Sequence, residues 1–327
     1  MHPSAGPAGH KFYTCSVMRK ERHAAALKPL FQALVDLFFP RSCAVCGRRL
    51  KRHERHLCLD CDLDLPLTYF WVLERNAMAD KLNALIQIRS DQIWKERRAV
   101  GYEPYARAAA LFYYTSQAGY RHIPQALKYE GAIALGQHFA RRLGGLFAQS
   151  PLYRDVSLVV PVPLHRSRQW KRGYNQAAVI AREIASALGV PCDEKLLHRC
   201  RRTRTQTRLT VEEKAANVDG AFAVRRNRLP VPDRHMPHSH AATFRQPISG
   251  RAVAPEATSC ADDRDRFAGE RENQPTAVHI LLVDDVFTTG ATLEACHAAL
   301  RAAWQKSGAA TRHLRISAAT LAYVGRP

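Results

Sequence analysis

The chain has 327 residues, enough for one large domain plus a small module, or for two domains. Its hydrophobic fraction of 46% places it among globular proteins with a sizeable core. Lys plus Arg number 49 against 29 Asp plus Glu, a formal charge of +20 that favours polyanionic partners: nucleic acid, phosphorylated ligands or an anionic membrane surface.

No apolar run is long enough to cross a bilayer, so no membrane span is expected. The N-terminus, Met1–Lys20, is polar and has no cleavage site, so no signal peptide is predicted. Residues 1–26 read as a disordered tail, with Met18 as an alternative start. Nine cysteines occur, an odd number, and four form a compact metal pattern, which points to a reducing cytoplasm rather than a disulfide framework.

Leu27, Leu30, Phe31, Leu34, Val35 and Phe38 follow helical spacing and predict an apolar helix closed by Pro40. Residues 27–66 thus hold that helix and the cysteine module. Cys43-Ala44-Val45-Cys46 and Cys58-Leu59-Asp60-Cys61 are two CxxC pairs. Two such knuckles complete a tetrahedron of thiolates around Zn²⁺, and with all four positions cysteine the zinc is structural. Gly47 sits where a knuckle calls for positive φ. His53 and His56 lie between the pairs as alternative ligands. Arg48, Arg49, Lys51, Arg52 and Arg55 make a cationic loop on this support, read either as a nucleic-acid contact or as a solvated face.

Residues 67–98 read as a connector with some helix. From residue 99 to 324, strand and helix patterns alternate, as in α/β folds. Strands are expected at Ala108–Tyr114, Leu158–Val162, Val278–Val283 and Leu314–Ala322. Helices are expected at Ile123–Lys128, Ile133–Leu146, Ala177–Leu188 and Leu293–Trp304. Residues 225–276 break the rhythm and read as a disordered insertion.

The most informative segment is Leu281-Leu282-Val283-Asp284-Asp285-Val286-Phe287-Thr288-Thr289-Gly290-Ala291-Thr292. A strand ends in two carboxylates, and a small-residue turn then opens a helix. Ligands of parallel sheets bind at the carboxyl ends of strands. Such a turn wraps a phosphate with backbone N–H groups and Thr hydroxyls, and the helix N-terminus adds its dipole. Asp284 and Asp285 then accept hydrogen bonds from ribose hydroxyls. The chain lacks GxxxxGK[ST], and no GxGxxG follows a strand, which excludes the commoner phosphate loops. Two basic runs add to this. His165, Arg166, Arg168, Lys171 and Arg172 read as a cationic loop that meets a pyrophosphate. Arg199–Arg208 reads as a flexible basic loop over an anion. Either run alone is more often a solvated face.

These residues, in this order, resemble the ComF family of competence-associated proteins, also called amidophosphoribosyltransferase-like. The matching pieces are the apolar helix, the CxxC pairs, Leu127-Lys128-Tyr129-Glu130-Gly131, Val160-Pro161-Val162-Pro163-Leu164, Arg172-Gly173-Tyr174-Asn175-Gln176, and the diacid segment. The resemblance implies a type I phosphoribosyltransferase-like parallel sheet flanked by helices, with a small N-terminal four-cysteine zinc module. It implies binding of phosphoribosyl pyrophosphate (PRPP) with Mg²⁺. By position Asp284 and Asp285 would hold ribose, and Thr288, Thr289, Gly290, Ala291 and Thr292 the 5′-phosphate. Arg166, Arg168 and Arg172 are the pyrophosphate candidates. The resemblance also implies single-stranded DNA handling during uptake and natural transformation. That places the protein in the cytoplasm, or peripherally at the inner membrane face beside the DNA-uptake machinery. The alternative is a metabolic phosphoribosyltransferase acting on an unidentified base or amine; neither a base-recognition element nor a general base is legible. A glutamine amidophosphoribosyltransferase is disfavoured, because no N-terminal nucleophilic Cys is present: position 2 is His2.

Overall fold

A computed structural model describes residues 41–97, 103–114, 119–201, 218, 220–230, 278–307 and 313–325. The expected apolar helix at 27–38 lies outside these residues, as do the basic run after Arg201 and positions 231–276 of the expected insertion. The chain divides into two compact units.

The smaller unit comprises the described residues up to Leu65 together with 119–122. It contains a short helix, α1 (Leu59–Leu63), and a 3-10 turn at Gly119–Arg121. Its first knuckle is closed by backbone hydrogen bonds from Gly47 N to Cys43 O (2.9 Å) and from Cys43 N to Arg48 O (2.8 Å). Gly47 adopts φ +73°, as its place after the CxxC pair requires. Gly119 packs against the same knuckle: a Cβ there would lie 2.3 Å from Val45 O.

The larger unit is α/β. Its elements in chain order are α2 (Ala77–Arg97), β1 (Ala108–Tyr113), α3 (His122–Tyr129), α4 (Ile133–Gln149), β2 (Leu158–Pro161), α5 (Arg166–Arg172), α6 (Gln176–Leu188), β3 (Leu197–Arg199), β4 (Phe222–Val224), β5 (Val278–Phe287), α7 (Ala291–Gln305) and β6 (Leu314–Tyr323). The segment read as a connector therefore belongs to this unit, and much of it is one long helix. Met78, Leu82 and Ile86 are buried along α2 at four-residue spacing. Asn76 starts it: its Oδ1 accepts from Met78 N (3.1 Å) and Ala79 N (2.9 Å), while its Nδ2 donates to Ala108 O (2.9 Å). One side chain thus caps α2 and ties it to β1.

The main sheet has four strands in the order β1-β6-β5-β2, all parallel. Four consecutive β5 residues, Ile280–Val283, are almost fully enclosed, so both faces are covered. α4 and α6 pack together, with Gly144 of α4 directly against Ile184 and Ala187 of α6. α2 and α7 pack together through the Arg89–Glu294 ion pair. β3 and β4 form a separate antiparallel pair. The first residues of the expected insertion are ordered: Arg226–Arg228 is a 3-10 turn, Leu229 is buried, and Arg228 Nε pairs with Asp193 at 2.9 Å.

Candidate phosphoribosyl cleft and cysteine centre

In the smaller unit, the sulfurs of Cys43, Cys46, Cys58 and Cys61 lie within 4.8 Å of one another. Zn–S bonds of about 2.3 Å place tetrahedral sulfurs about 3.8 Å apart. The Cys46 and Cys58 sulfurs are 3.7 Å apart, so the set fits a tetrahedral metal such as zinc. The protonation chemistry agrees. Burial pushes the Cys43 thiol up, but backbone N–H groups of Cys46, Cys58 and Val45 outweigh it and hold the thiol down to about 6. Cys61 is pushed far up by burial and by its crowded sulfur neighbours, a strain that a bound cation relieves. His53 and His56 stand outside the cluster.

The loop between the knuckles carries Arg48, Arg49, Lys51, Arg52 and Arg55, all exposed. Arg48 is engaged with Asp60 at 2.7 Å. The loop is shaped by Glu54, which is buried and accepts from Lys51 N (2.6 Å) and Leu59 N (2.9 Å). Those donors hold its carboxyl below the usual range. Nothing local signals this role, since Glu54 sits among basic residues like any solvated acid.

In the larger unit, a cleft opens at the carboxyl ends of β5 and β2. β5 runs on through the diacid to Phe287, so Asp284 and Asp285 lie within its last four residues rather than beyond it. Thr288 and Thr289 make the turn, and Gly290 is the N-cap of α7 with φ +87°. A Cβ on Gly290 would lie 2.7 Å from the Phe287 ring and 3.3 Å from Leu85, so only glycine fits both the angle and the space. The first N–H groups of α7, at Ala291, Thr292 and Leu293, lack intrahelical acceptors by geometry, and these residues line the cleft.

Asp284 Oδ1 accepts from Asp285 N at 2.9 Å. Burial, then the neighbouring Asp285 carboxylate, pushes Asp284 up to about 7. Asp285 Oδ2 lies 3.0 Å from Lys128 Nζ. Burial opposes the charge on Lys128, yet the two aspartates more than offset it and raise its pKa. Lys128 was visible in the sequence only as part of a family motif; 157 positions separate it from Asp285, and nothing local assigns it to the diacid.

The expected cationic loop is a helix. His165 caps α5 by accepting from Ser167 N, and Gly173 ends it in the left-handed region at φ +79°. Helical spacing then sorts its arginines. Arg168 and Arg172, four apart, share the inner face and line the cleft. Arg166 is exposed and is not part of that lining, which corrects its grouping with the other two. Arg199 stands in β3 rather than in a loop and also lines the cleft. Burial and the charge of Arg168 lower its pKa, as two converging guanidinium groups would without an anion between them.

Gly173–Gln176 braces the cleft. Asn175 caps α6 by accepting from Ala177 N (3.1 Å) and donates to Val162 O (3.0 Å) at the end of β2. Tyr174 donates its hydroxyl to Leu127 O. Arg172 donates to Gln176 Oε1 (3.1 Å) and lies over the Tyr129 ring, 5.3 Å from its centre. Gln176 is buried on the cleft wall, and its Nε2 has no hydrogen-bond partner among the described residues. A buried donor left so is costly unless a ligand oxygen accepts from it. The cleft therefore offers a carboxylate pair, converging cations and a helix N-terminus: a donor set that fits a sugar carrying phosphate groups. The two carboxylates are hard oxygen donors suited to Mg²⁺ beside those phosphates. No helix among the described residues is long and apolar enough to cross a membrane.

No protein-family model matches the chain, and no solved structure matches it. Over 74 residues, 22% of its length, it is 36% identical to competence protein F of Haemophilus influenzae, covering 32% of that protein. Over 78 residues it is 37% identical to the DNA utilization protein YhgH of Salmonella typhimurium and 36% identical to that of Escherichia coli K12, covering 33% of each. The aligned part thus spans about a third of the length of these curated relatives.

Proposed function

We infer that this chain is a ComF-family protein that binds PRPP with Mg²⁺ in the β5–β2 cleft and handles single-stranded DNA in DNA uptake. One observation carries the ligand assignment. The Asp284–Asp285 pair, the Thr288–Gly290 turn and the start of α7 border one cleft with Lys128, Arg168, Arg172 and Arg199. In this reading Asp284 and Asp285 accept hydrogen bonds from the two ribose hydroxyls. Thr288, Thr289, Gly290, Ala291 and Thr292 surround the 5′-phosphate with N–H groups and hydroxyls. Arg168 and Arg172, joined by Lys128 and Arg199, meet the pyrophosphate. Mg²⁺, when bound, would neutralise part of the pyrophosphate charge. The zinc module presents Arg48, Arg49, Lys51, Arg52 and Arg55 to the DNA backbone.

The names of the relatives, competence and DNA utilization, support the DNA side of the reading. The net charge of +20 supports a polyanionic partner. The test is calorimetry of the full chain with PRPP in Mg²⁺ and in EDTA, beside fluorescence anisotropy with labelled single-stranded oligonucleotide. Mg²⁺-dependent PRPP binding and salt-sensitive DNA binding are expected. PRPP binding without DNA binding, together with turnover of PRPP by a base or amine, would favour a metabolic transferase instead.

A further inference from the structure

Helix α5 has two faces with different tasks. Arg168 and Arg172 turn inward to the cleft, whereas Trp170, two residues from each, lies about 200° around the helix and is 93% exposed. Among the other tryptophans, Trp71 and Trp304 are both buried. A ring this size held in water forfeits much of the burial that aromatic side chains normally gain, and both its faces are open to stacking. Arg166, one turn back on the same face, and Lys171, next in sequence, are exposed and flank the ring. The helix is fixed at both ends by the His165 cap and Gly173, and its inner face is held by the Arg172–Gln176 bond. A rigid ring is thus presented between two cations.

We propose that the outward face of α5, with Trp170 between Arg166 and Lys171, is a stacking site for single-stranded nucleic acid. The proposal rests on the single-strand reading above and adds a place for it on the larger unit. Sites for single strands combine cations that track the phosphates with aromatic rings on which bases stack. The two cations call for a polyanion, and the narrow apolar face selects a nucleic acid over an anionic membrane surface. An interfacial helix needs a broad apolar face, and here Ser167 and Gln169 are also exposed, leaving Trp170 as the lone apolar ring. The ring also points away from the cleft lining, so it does not serve the ligand bound there.

The full-length chain and its Trp170→Ala and Trp170→Phe variants are compared by anisotropy with labelled dT15 and rU15. Vesicles containing phosphatidylglycerol, PRPP calorimetry and thermal melting complete the set. Trp170→Ala weakens dT15 binding roughly five- to a hundredfold, while Trp170→Phe keeps most of it. The loss with rU15 matches that with dT15, because a ring that stacks on a base does not read the 2′-hydroxyl. Arg166→Gln with Lys171→Gln lowers the salt slope by about 1.4, from 0.7 per phosphate contact. PRPP affinity and melting temperature stay unchanged. If Trp170→Ala binds dT15 like the wild type, the stacking site is wrong and the single-strand reading stands. If that variant loses only vesicle binding, the face is a membrane contact and the proposal falls. If the wild type does not bind dT15 at all, both the site and the reading fail.

Discussion

Asp285→Asn changes one charge at the centre of the cleft and nothing in its shape. The Asp285 side chain is 11% exposed, with Oδ2 3.0 Å from Lys128 Nζ. Hydrogen bonds to charged groups contribute about 1.5–3 kcal/mol each, so losing the one to ribose weakens PRPP binding in Mg²⁺ about ten- to a hundredfold. The effect on folding is smaller. Removing one partner of a buried ion pair costs about 3–5 kcal/mol, but this pair borders an open cleft, and the Lys128 side chain keeps 26% exposure. Asp284 remains beside Lys128 as a counter-charge, and the repulsion that helps push Asp284 up to about 7 disappears. The net cost is about 1 kcal/mol, or about 2–4 °C in melting temperature. Calorimetry with PRPP and Mg²⁺, beside thermal melting of the same samples, checks both numbers. Equal PRPP affinity in variant and wild type would refute the ribose assignment. A fall of more than 10 °C would make Asp285 a folding residue first.

Two further perturbations address the rest of the molecule. The chain purifies with one zinc, and Cys46→Ser loses it along with the roughly 10 kcal/mol that zinc contributes to folding a small module, while PRPP affinity persists; elemental analysis finding no zinc in the wild type refutes this. His297 is buried, and burial, then Arg301, pushes its imidazole down to about 3 from an ordinary 6.5. The unfolded chain therefore takes up the proton first. The contribution of neutral His297 is whole above pH about 6.5 and is lost as pH falls, by about 2 kcal/mol at pH 5. His297→Gln should flatten the fall in melting temperature between pH 7 and 5, and an unchanged slope would show that other groups set it.

Local signals were legible to the extent that they were chemical and contiguous. The CxxC knuckles, the diacid and the glycine that opens α7 are each fixed by neighbours within a few residues. Spacing and residue type therefore located them, and the alternating pattern located β1, β2, β5, β6 and the helices α3, α4, α6 and α7. Three things were out of reach. The Arg166–Arg172 run looked like a loop because its composition is polar apart from Trp170; the caps at His165 and Gly173, not hydrophobic periodicity, make it a helix, and only a helix separates Arg166 from Arg168 and Arg172. Lys128 joins the diacid through the fold, across a gap no local pattern spans. Residues 77–97 looked like a connector because charged and apolar residues mix there, yet Asn76 and the buried side of α2 bind the segment to the sheet.

The opposite end of the sheet shows what a site-like geometry means without access. His279 Nδ1 lies 2.9 Å from Asp155 Oδ1, and its Nε2 lies 2.8 Å from Ser317 Oγ. The order Ser–His–Asp is that of a hydrolytic triad, but Ser317 and His279 are 3% and 1% exposed, so no substrate reaches the hydroxyl. His279 is the second residue of β5, about 16–20 Å along the strand from the diacid and away from the carboxyl ends, where parallel sheets bind ligands. Burial lowers the His279 pKa despite its carboxylate neighbour, which favours the neutral ring. Asp155 also pairs with Arg315 of β6. Burial alone would raise its carboxyl, but the His279 hydrogen bond and the Arg315 guanidinium hold it below the usual carboxylate range. Ser157, just before β2, exchanges hydrogen bonds with the His279 backbone. These contacts join the entrances of β2, β5 and β6 and fix their register. A slip of one residue would turn the diacid to the other face of the sheet, so the closed end holds the geometry on which the open end depends.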